Sequence, residues 1–225
     1  MIVQAFALTL RLAVVVSLIL LLVSLPLAYW LAFSRWKGKF LAEAAVSLPI
    51  VLPPTVLGFY VLVALGPLSP IGRWYQSLTG HGLAFTFTGL VIGSVIYSLP
   101  FSVQPMTSAF GSVDRTLMDA SAILGASKWR TFWQIVLPLS FPGVLTGFVL
   151  SFAHTLGEFG VVLMIGGNIP GATQTVSILI YDQVQTLNYQ VANETAGLLL
   201  AACIVLLTAL YALRRRHGWS VWNWP

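Results

Sequence analysis

Long apolar runs separated by short polar segments make up most of this 225-residue sequence. An α-helix that crosses a bilayer needs about 20 mainly apolar residues, and five runs meet that length. The pattern therefore predicts an all-α polytopic membrane protein with five transmembrane helices. The runs extend roughly over residues 8–33, 42–65, 87–110, 135–165 and 195–213.

A mixed segment, residues 172–194, precedes the last run and leaves the number of crossings open between five and six. It follows the turn sequence of residues 166–171 and places apolar side chains at helical spacing. Such a stripe favours an amphipathic helix in the outer interface of the membrane, with a sixth crossing as the alternative. The stripe consists of Leu179, Ile180, Val184, Leu187 and Val191.

Composition and charge indicate a membrane location and an orientation. Only 8% of residues are charged and the mean hydropathy is +0.90, whereas about a quarter of residues are charged in soluble domains. With five crossings, nine of the eleven Lys and Arg residues fall on one side, which the positive-inside rule assigns to the cytoplasm. The amino terminus is then outside and the carboxyl terminus inside. The nine residues are Arg35, Lys37, Lys39, Arg115, Lys128, Arg130, Arg214, Arg215 and Arg216.

These basic residues are dispersed over three loops, so the net charge of +5 reflects topology and attraction to anionic lipid. We therefore expect membrane lipid, and no nucleic acid, as a partner. The single cysteine, Cys203, excludes an intrachain disulfide and a cysteine-rich metal site.

A polar island, residues 112–134, separates the third run from the fourth. Asp114 or Ser112 is suited to cap a helix that begins near Arg115, and Gly125 supplies the left-handed position that ends it. The island therefore predicts a short helix presented at the membrane surface.

A second short helix is predicted after Ser127, which is a suitable cap. It carries Trp129, Phe132 and Trp133 at helical spacing, a face suited to the lipid headgroup region. Pro138 then opens the next span.

Prolines interrupt the second and third runs. Each proline frees a backbone carbonyl from its helical partner, which membrane proteins tolerate where neighbouring protein or a watery cavity satisfies that group. Five prolines in two adjacent runs favour mobile or pore-lining helices, with kinks used only for packing as the alternative. They are Pro49, Pro53, Pro54, Pro100 and Pro105.

The fourth run is too long for a simple crossing and contains an ionisable pair in its outer half. His154 and Glu158 have the i, i+4 spacing of one helix face, and an ionisable residue at membrane depth suggests function. The alternative places Glu158 at the outer interface, solvated or bonded to His154. Two ligands without a third do not support a metal site. Ser151, His154 and Glu158 have the residue types of a hydrolase triad. They all lie on one helix, however, and the sequence suggests no oxyanion hole.

The island resembles the cytoplasmic signature of ABC importer permeases: Glu-Ala-Ala, three residues, Gly, nine residues, Ile-x-Leu-Pro. Asp119 replaces the Glu and Ser121 the second Ala. Both departures are mild, because the acid stays in a helix's first turn, where it favours the dipole, and Ser is small. The matching positions are Asp119, Ala120, Ser121, Gly125, Ile135, Leu137 and Pro138.

Three further segments are similar to the molybdate permease subunit of bacterial ABC importers. They read LPIVLPPTVLGFYVLVALG (residues 48–66), GEFGVVLMIGGNIPG (157–171) and TQTVSILIYDQVQ (173–185). Sulfate permeases share a version of the second segment, and tungstate differs little from molybdate, so both stay open as alternative substrates.

The resemblance implies a type I ABC importer permease fold and one transmembrane permease domain over residues 1–225, with the island as the coupling helix that docks into an ATPase. It also implies a homodimer in the bacterial cytoplasmic membrane, served by two ABC ATPase subunits and one extracytoplasmic oxyanion-binding protein.

The sequence contains no P-loop, so this chain is not expected to be the hydrolase or to bind a cofactor. ATP and Mg would be used by the partner ATPase. An ion-coupled secondary transporter is the alternative from another class. The sequence lacks the internal repeat and the paired acids that such a transporter is expected to have.

An outer gate or pathway is expected where the interrupted runs and the turn sequence meet. The residues assigned to it are Pro53, Pro54, Gly157, Glu158, Gly160, Asn168 and Pro170.

Overall fold

The computed structural model describes residues 1–216, which fold entirely into helices and their connections, with no β-strand in that range. Four helical spans have the length and hydropathy to cross a membrane, and one bent pair can supply a fifth, which confirms the predicted all-α polytopic fold. A π-helix, Phe132–Val136, lies between the seventh and eighth α-helices. The α-helices are α1 (Ile2–Phe33), α2 (Lys39–Val51), α3 (Pro54–Leu65), α4 (Pro70–Thr79), α5 (Phe87–Gly111), α6 (Arg115–Ile123), α7 (Lys128–Thr131), α8 (Leu137–Gly157), α9 (Gly160–Gly166), α10 (Val176–Gln185) and α11 (Tyr189–Arg216).

The three long helices α1, α5 and α8 pack against one another and form the centre of the molecule. Small residues let their backbones approach closely, as is usual between membrane helices. A methyl group on Gly147 of α8, for example, would lie 2.6 Å from the carbonyl oxygen of Ser102 on α5. Fully buried apolar side chains, including Leu20, Met106 and Phe110, fill the remaining space.

The second apolar run is two helices, α2 and α3, whose axes differ in direction by 113°. Leu52 and Pro53 between them have extended ψ angles of 137° and 135°. Pro53 and Pro54 have no N–H to continue the helical ladder, so the predicted break at these prolines is confirmed. The third run behaves differently, because Pro100 and Pro105 lie inside the continuous helix α5.

The fourth apolar run, predicted over residues 135–165, is not one helix. Its first residues belong to the π-helix, α8 ends at Gly157, and α9 begins at Gly160. Glu158 between them is extended, with φ −66° and ψ 135°. The excess length of this run is therefore divided by a break rather than accommodated in a long tilted crossing.

Helix α10 packs one face against the protein, while Val184 and Leu187 of the predicted apolar stripe stay exposed, so its place in the outer interface remains a prediction. Its buried residues are Val176, Ile178, Leu179 and Gln183, while Leu187 beyond it is 72% exposed. The backbone N–H of Val176 donates to Thr9 Oγ1 of α1 at 2.9 Å. The last span begins at Tyr189 rather than at residue 195, because the helix continues back through the polar residues before it.

Candidate functional site

The polar island folds locally as its sequence predicts. Asp114 caps α6, because its Oδ1 accepts the N–H of Thr116 at 2.9 Å. That hydrogen bond holds the pKa of the Asp114 carboxyl below its usual value. Gly125 follows α6 with φ +78°, in the left-handed region, and the N–H of Ala126 closes the helix end by donating to Ser121 O at 3.0 Å.

Asp119 is exposed and is the fifth residue of α6, so it lies beyond the first turn. The expectation that its charge favours the helix dipole from the first turn is therefore wrong. The reason is the cap at Asp114, which starts the helix at Arg115 and moves the amino-terminal end away from Asp119.

The second helix of the island, α7, is tied to the first. Ser127 caps it by accepting the N–H of Arg130 at 3.2 Å. The buried hydroxyls of Ser121 and Thr131 lie 2.7 Å apart, and Ser121 also donates to Met118 O at 2.9 Å. The serine that departs from the family pattern thus holds α6 and α7 in a fixed relation.

Apolar side chains are left on the surface of the island. Ile123 and Leu124 are each 87% exposed, and Trp129 is 71% exposed. Phe132 contacts the rings of Trp129 and Trp133, with centroids 6.3 and 5.4 Å away, and it also packs against Tyr29 of α1 at 5.2 Å.

The other residues of the signature lie where the island joins the bundle. Ile135 is in the π-helix, Leu137 begins α8, and Pro138 follows it, where its missing N–H interrupts the backbone ladder at the junction of the π-helix and α8. Ala120 is exposed on α6. The island and the start of α8 are therefore one continuous unit.

At the other end of α8, a buried carboxyl lies at the break before α9. Glu158 is 4% exposed, and neither of its carboxyl oxygens has a hydrogen-bond partner among residues 1–216. Ser94 of α5 lies beside it, and its hydroxyl is likewise without a partner in that part of the chain. The alternative of a solvated Glu158 is therefore wrong, whereas its depth in the membrane stays a prediction.

His154 contacts α5 and is not the hydrogen-bond partner of Glu158. Its Nδ1 lies 2.9 Å from Ser98 Oγ, its ring stacks on Phe101 at 4.0 Å between centroids, and Tyr97 covers it at 4.8 Å. The expected i, i+4 pairing fails because α8 ends at Gly157, so Glu158 leaves the helix face.

A cavity of about 530 Å³ lies at this break, between α3, α5, α8 and α9. Pro53 caps α3 and Pro54 begins it, so the two interrupted runs meet here. Gly160 permits the contact, since a methyl group on it would lie 2.7 Å from Pro54 Cβ, whereas Gly157 has open space around it. The lining residues are Pro54, Thr55, Tyr97, Ala153, His154, Gly157, Glu158, Phe159 and Gly160.

Three of the residues expected at the gate, Pro53, Asn168 and Pro170, do not line this cavity. Asn168 and Pro170 lie in the turn between α9 and α10, where Asn168 Nδ2 donates to Asp182 Oδ1 at 2.9 Å and Gln174 Nε2 donates to Asn168 Oδ1 at 2.6 Å. The visible role of Asn168 is to fix this turn to α10.

Sequence reasoning did not single out Ser94, Tyr97 or Thr55. A signal for Ser94 exists: Ser94, Ser98 and Ser102 recur every four residues along α5, and all three are fully buried. A polar stripe at helical spacing within an apolar span indicates a face turned towards protein. Within residues 1–216, no cluster of three His, Cys, Asp or Glu side chains is arranged to hold a metal ion.

Comparison with known proteins adds family information to this geometry. The family model described as "Binding-protein-dependent transport system inner membrane component" matches residues 24–217. The molybdenum transport system permease protein ModB of Azotobacter vinelandii is 49% identical over 211 residues, which cover 94% of this chain and 93% of that protein. ModB of Haemophilus influenzae is 40% identical, with 91% and 89% covered. The sulfate transport system permease protein CysT of Escherichia coli is 31% identical, with 96% and 78% covered.

Solved structures share the fold at low sequence identity. A bacterial ABC transporter involved in the import of the acidic polysaccharide alginate matches with a TM-score of 0.78 and 18% identity over 95% of this chain and 79% of that chain. The MetNI methionine ABC transporter, in an inward-facing conformation, matches with a TM-score of 0.68 and 16% identity over 96% and 95%. The fold is that of type I ABC importer permeases.

Proposed function

This chain belongs to the family of binding-protein-dependent transport system inner membrane components, and on that premise we propose that the oxyanion it carries into the cell is molybdate. The observation that carries the proposal is the 49% identity to a molybdenum permease over nearly the full length of both proteins. Sulfate is the second candidate, since the sulfate permease CysT is also similar, at 31% identity. Tungstate shares the chemistry of molybdate and is expected to compete with it.

Energy for this transport would come from two separate ATPase subunits that hydrolyse MgATP, because the chain itself has no P-loop. Import of a dianion into a cell at about 100 mV negative costs roughly 4.6 kcal/mol, at ~2.3 kcal/mol per charge. The exposed apolar residues of the island, Ile123, Leu124 and Trp129, supply a surface for docking to the ATPase.

Helix α8 gives a mechanical route from the ATPase to the pathway. The Ser121 to Thr131 contact keeps the island rigid, and the π-helix continues it into α8. The 21 residues of α8 span about 30 Å, at 1.5 Å per residue. At its far end are Glu158 and the cavity against α3. A displacement of the island would thus change the packing between α8, α9 and α3, which is a two-state coupling of the kind that nucleotide can bias.

The remaining assembly follows from the family. Two copies of this chain would form the pore, and one extracytoplasmic binding protein would deliver the anion. The spans of the described part of the chain contain few basic residues. One of them is Arg11 of α1, whose guanidinium carbon lies 4.5 Å from the centre of the Phe87 ring. Selectivity is therefore assigned mainly to the binding protein.

The proposal is tested by uptake into proteoliposomes that contain this chain with the ATPase and binding protein of the same importer. Labelled molybdate should accumulate only with internal MgATP and loaded binding protein, and excess sulfate should compete poorly. Faster accumulation of sulfate than of molybdate would contradict the substrate. Accumulation driven by an ion gradient without ATP would contradict the importer.

A further inference from the structure

A buried acid lies at the cavity of the α8–α9 break without the partners that buried charges require, and both of its carboxyl oxygens are covered. Glu158 is 4% exposed, lines the cavity, and has no hydrogen bond to either carboxyl oxygen within the described chain. An unpaired buried carboxylate is costly, and an uncharged carboxyl much less so. The uncharged acid also gains a donor, its O–H group.

The rest of the cavity lining has hydrogen-bonding groups without fixed charge. Thr55 contributes a hydroxyl from α3, Tyr97 a phenol from α5, and His154 an imidazole from α8. None of the lining residues is Lys or Arg. A tetrahedral oxyanion can pass such a site because several O–H or N–H groups can donate hydrogen bonds to it. No fixed positive charge is present in this lining that would bind a dianion too strongly.

The groups around Glu158 do not offer it a counter-charge. The titratable groups that face it are Tyr97 and His154, and α9 has none. Tyr181 of α10 contacts the neighbouring Phe159, with ring centroids 5.0 Å apart. An ionised Glu158 would add a negative charge to a route for anions, and repulsion between like charges is strong away from water.

We infer that this cavity is a transit site for the oxyanion: when α8 and α9 move apart and uncover its carboxyl group, Glu158 takes part as the uncharged acid and donates its carboxyl proton in a hydrogen bond to an oxyanion oxygen. No bond to hydrogen is broken, and the proton stays on Glu158 as the anion passes. The inference rests on the proposed function, because it takes an oxyanion as the transported ion.

The decisive comparison is between Glu158→Gln and Glu158→Ala in the reconstituted importer. The glutamine side chain has nearly the same shape and donates through N–H, so uptake should stay within about two-fold of the unmodified chain. Alanine removes the donor, and uptake should fall about ten-fold while ATP hydrolysis stimulated by the loaded binding protein persists. The ATP consumed per anion should therefore rise, which a folding defect would not cause.

A second pair of variants covers the case in which Glu158→Ala does not assemble. Thr55→Val removes a cavity hydroxyl with little change of volume and should lower uptake several-fold. Thr208→Val makes the same change on the exposed surface of α11 and should leave uptake unchanged.

The outcomes separate the inference from the proposed function. If Glu158→Gln loses as much uptake as Glu158→Ala, the charged carboxylate is required and the inference is overturned. Unchanged uptake in both Glu158→Ala and Thr55→Val overturns it too. If the unmodified chain imports no oxyanion at all with its binding protein and MgATP, it is the proposed function that fails.

Discussion

The hydroxyls of Ser121 and Thr131, ten positions apart in the chain, lie 2.7 Å from each other and join the two helices of the polar island. Both side chains are 7% exposed, so this contact is shielded from water. A buried hydrogen bond of this kind contributes about 0.5–1.5 kcal/mol. The contact fixes α6, at whose end Ile123 and Leu124 are exposed, to α7, which the π-helix joins to α8.

Removing this contact should loosen the coupling between ATP hydrolysis and uptake. Ser121→Ala and Thr131→Val are each expected to raise the ATP consumed per anion, and the double variant should be little worse than either, because both remove the same bond. ATPase and uptake rates in proteoliposomes measure this ratio. Thr116→Ala changes an exposed hydroxyl on the same helix and is the control. Fully additive effects would show that the two hydroxyls act independently.

Gly125 should be the least replaceable residue of the island. Gly125→Arg is expected to leave the permease inserted in the membrane but unable to bind the ATPase, because the side chain would occupy the docking surface. Backbone strain at φ +78° adds about 1–2 kcal/mol. Pull-down of the ATPase and uptake measure the effect.

Gly80 provides a matched control for that change. It has φ +76° and, like Gly125, open space where a Cβ would be, but it ends α4 on the side predicted to face outwards. Gly80→Arg therefore introduces similar strain without touching the ATPase and should retain uptake. Equal loss in both variants would assign the effect at Gly125 to strain alone.

The two glycines that flank Glu158 should differ in their tolerance of alanine. Gly160→Ala places a methyl group 2.7 Å from Pro54 Cβ, so α9 must move away from α3. Overpacking of this kind costs about 1–3 kcal/mol, and we expect lower uptake and lower thermal stability in detergent. Gly157→Ala meets nothing within 4 Å and should behave as the unmodified chain. A stable, active Gly160→Ala variant would mean that the α3–α9 contact yields easily.

The cap of α6 should depend mainly on an acceptor oxygen at Asp114, to which the carboxylate charge adds a smaller stabilisation. Asp114→Asn keeps an acceptor for the Thr116 N–H, and Asp114→Ala does not. Hydrogen exchange of α6 amides should therefore be faster in the alanine variant alone at pH 7.

Because the pKa of Asp114 is lowered, the stabilisation by its carboxylate is present above the usual pKa and is lost only as the pH falls through the lowered value. Protection of the α6 amides from exchange should thus persist down to about pH 4. Loss of protection at a higher pH would contradict the assignment of Asp114 as the cap.

Orientation in the membrane remains a prediction from the basic residues. In a Cys203→Ser background, cysteines at Gln4 and Asn188 should react with an impermeant thiol reagent in intact cells, since five crossings place both outside. A cysteine at Lys128 should react only after the cells are opened. Labelling of Lys128 but not Gln4 in intact cells would reverse the topology.

Local features of the chain were predictable because they depend on neighbouring residues. The apolar runs specify helices of membrane length, since backbone groups in lipid must bond within their own segment. Asp114, Gly125 and Ser127 specify helix ends through their own side chains or backbone freedom, and the structure confirms all three. The family also follows from such local spacing.

The arrangement of the cavity was decided by tertiary packing alone. Glu158 and His154 share a helix face only if the helix continues, and the break at Gly157 ends that relationship. Pro54 meets Gly160, and Ser98 meets His154, across more than fifty residues of sequence, because α3, α5, α8 and α9 pack together. The sequence by itself thus determined the spans, the caps and the family. Which polar groups lie buried together, and which acid lacks a partner, depended on contacts between distant helices that no local pattern encodes.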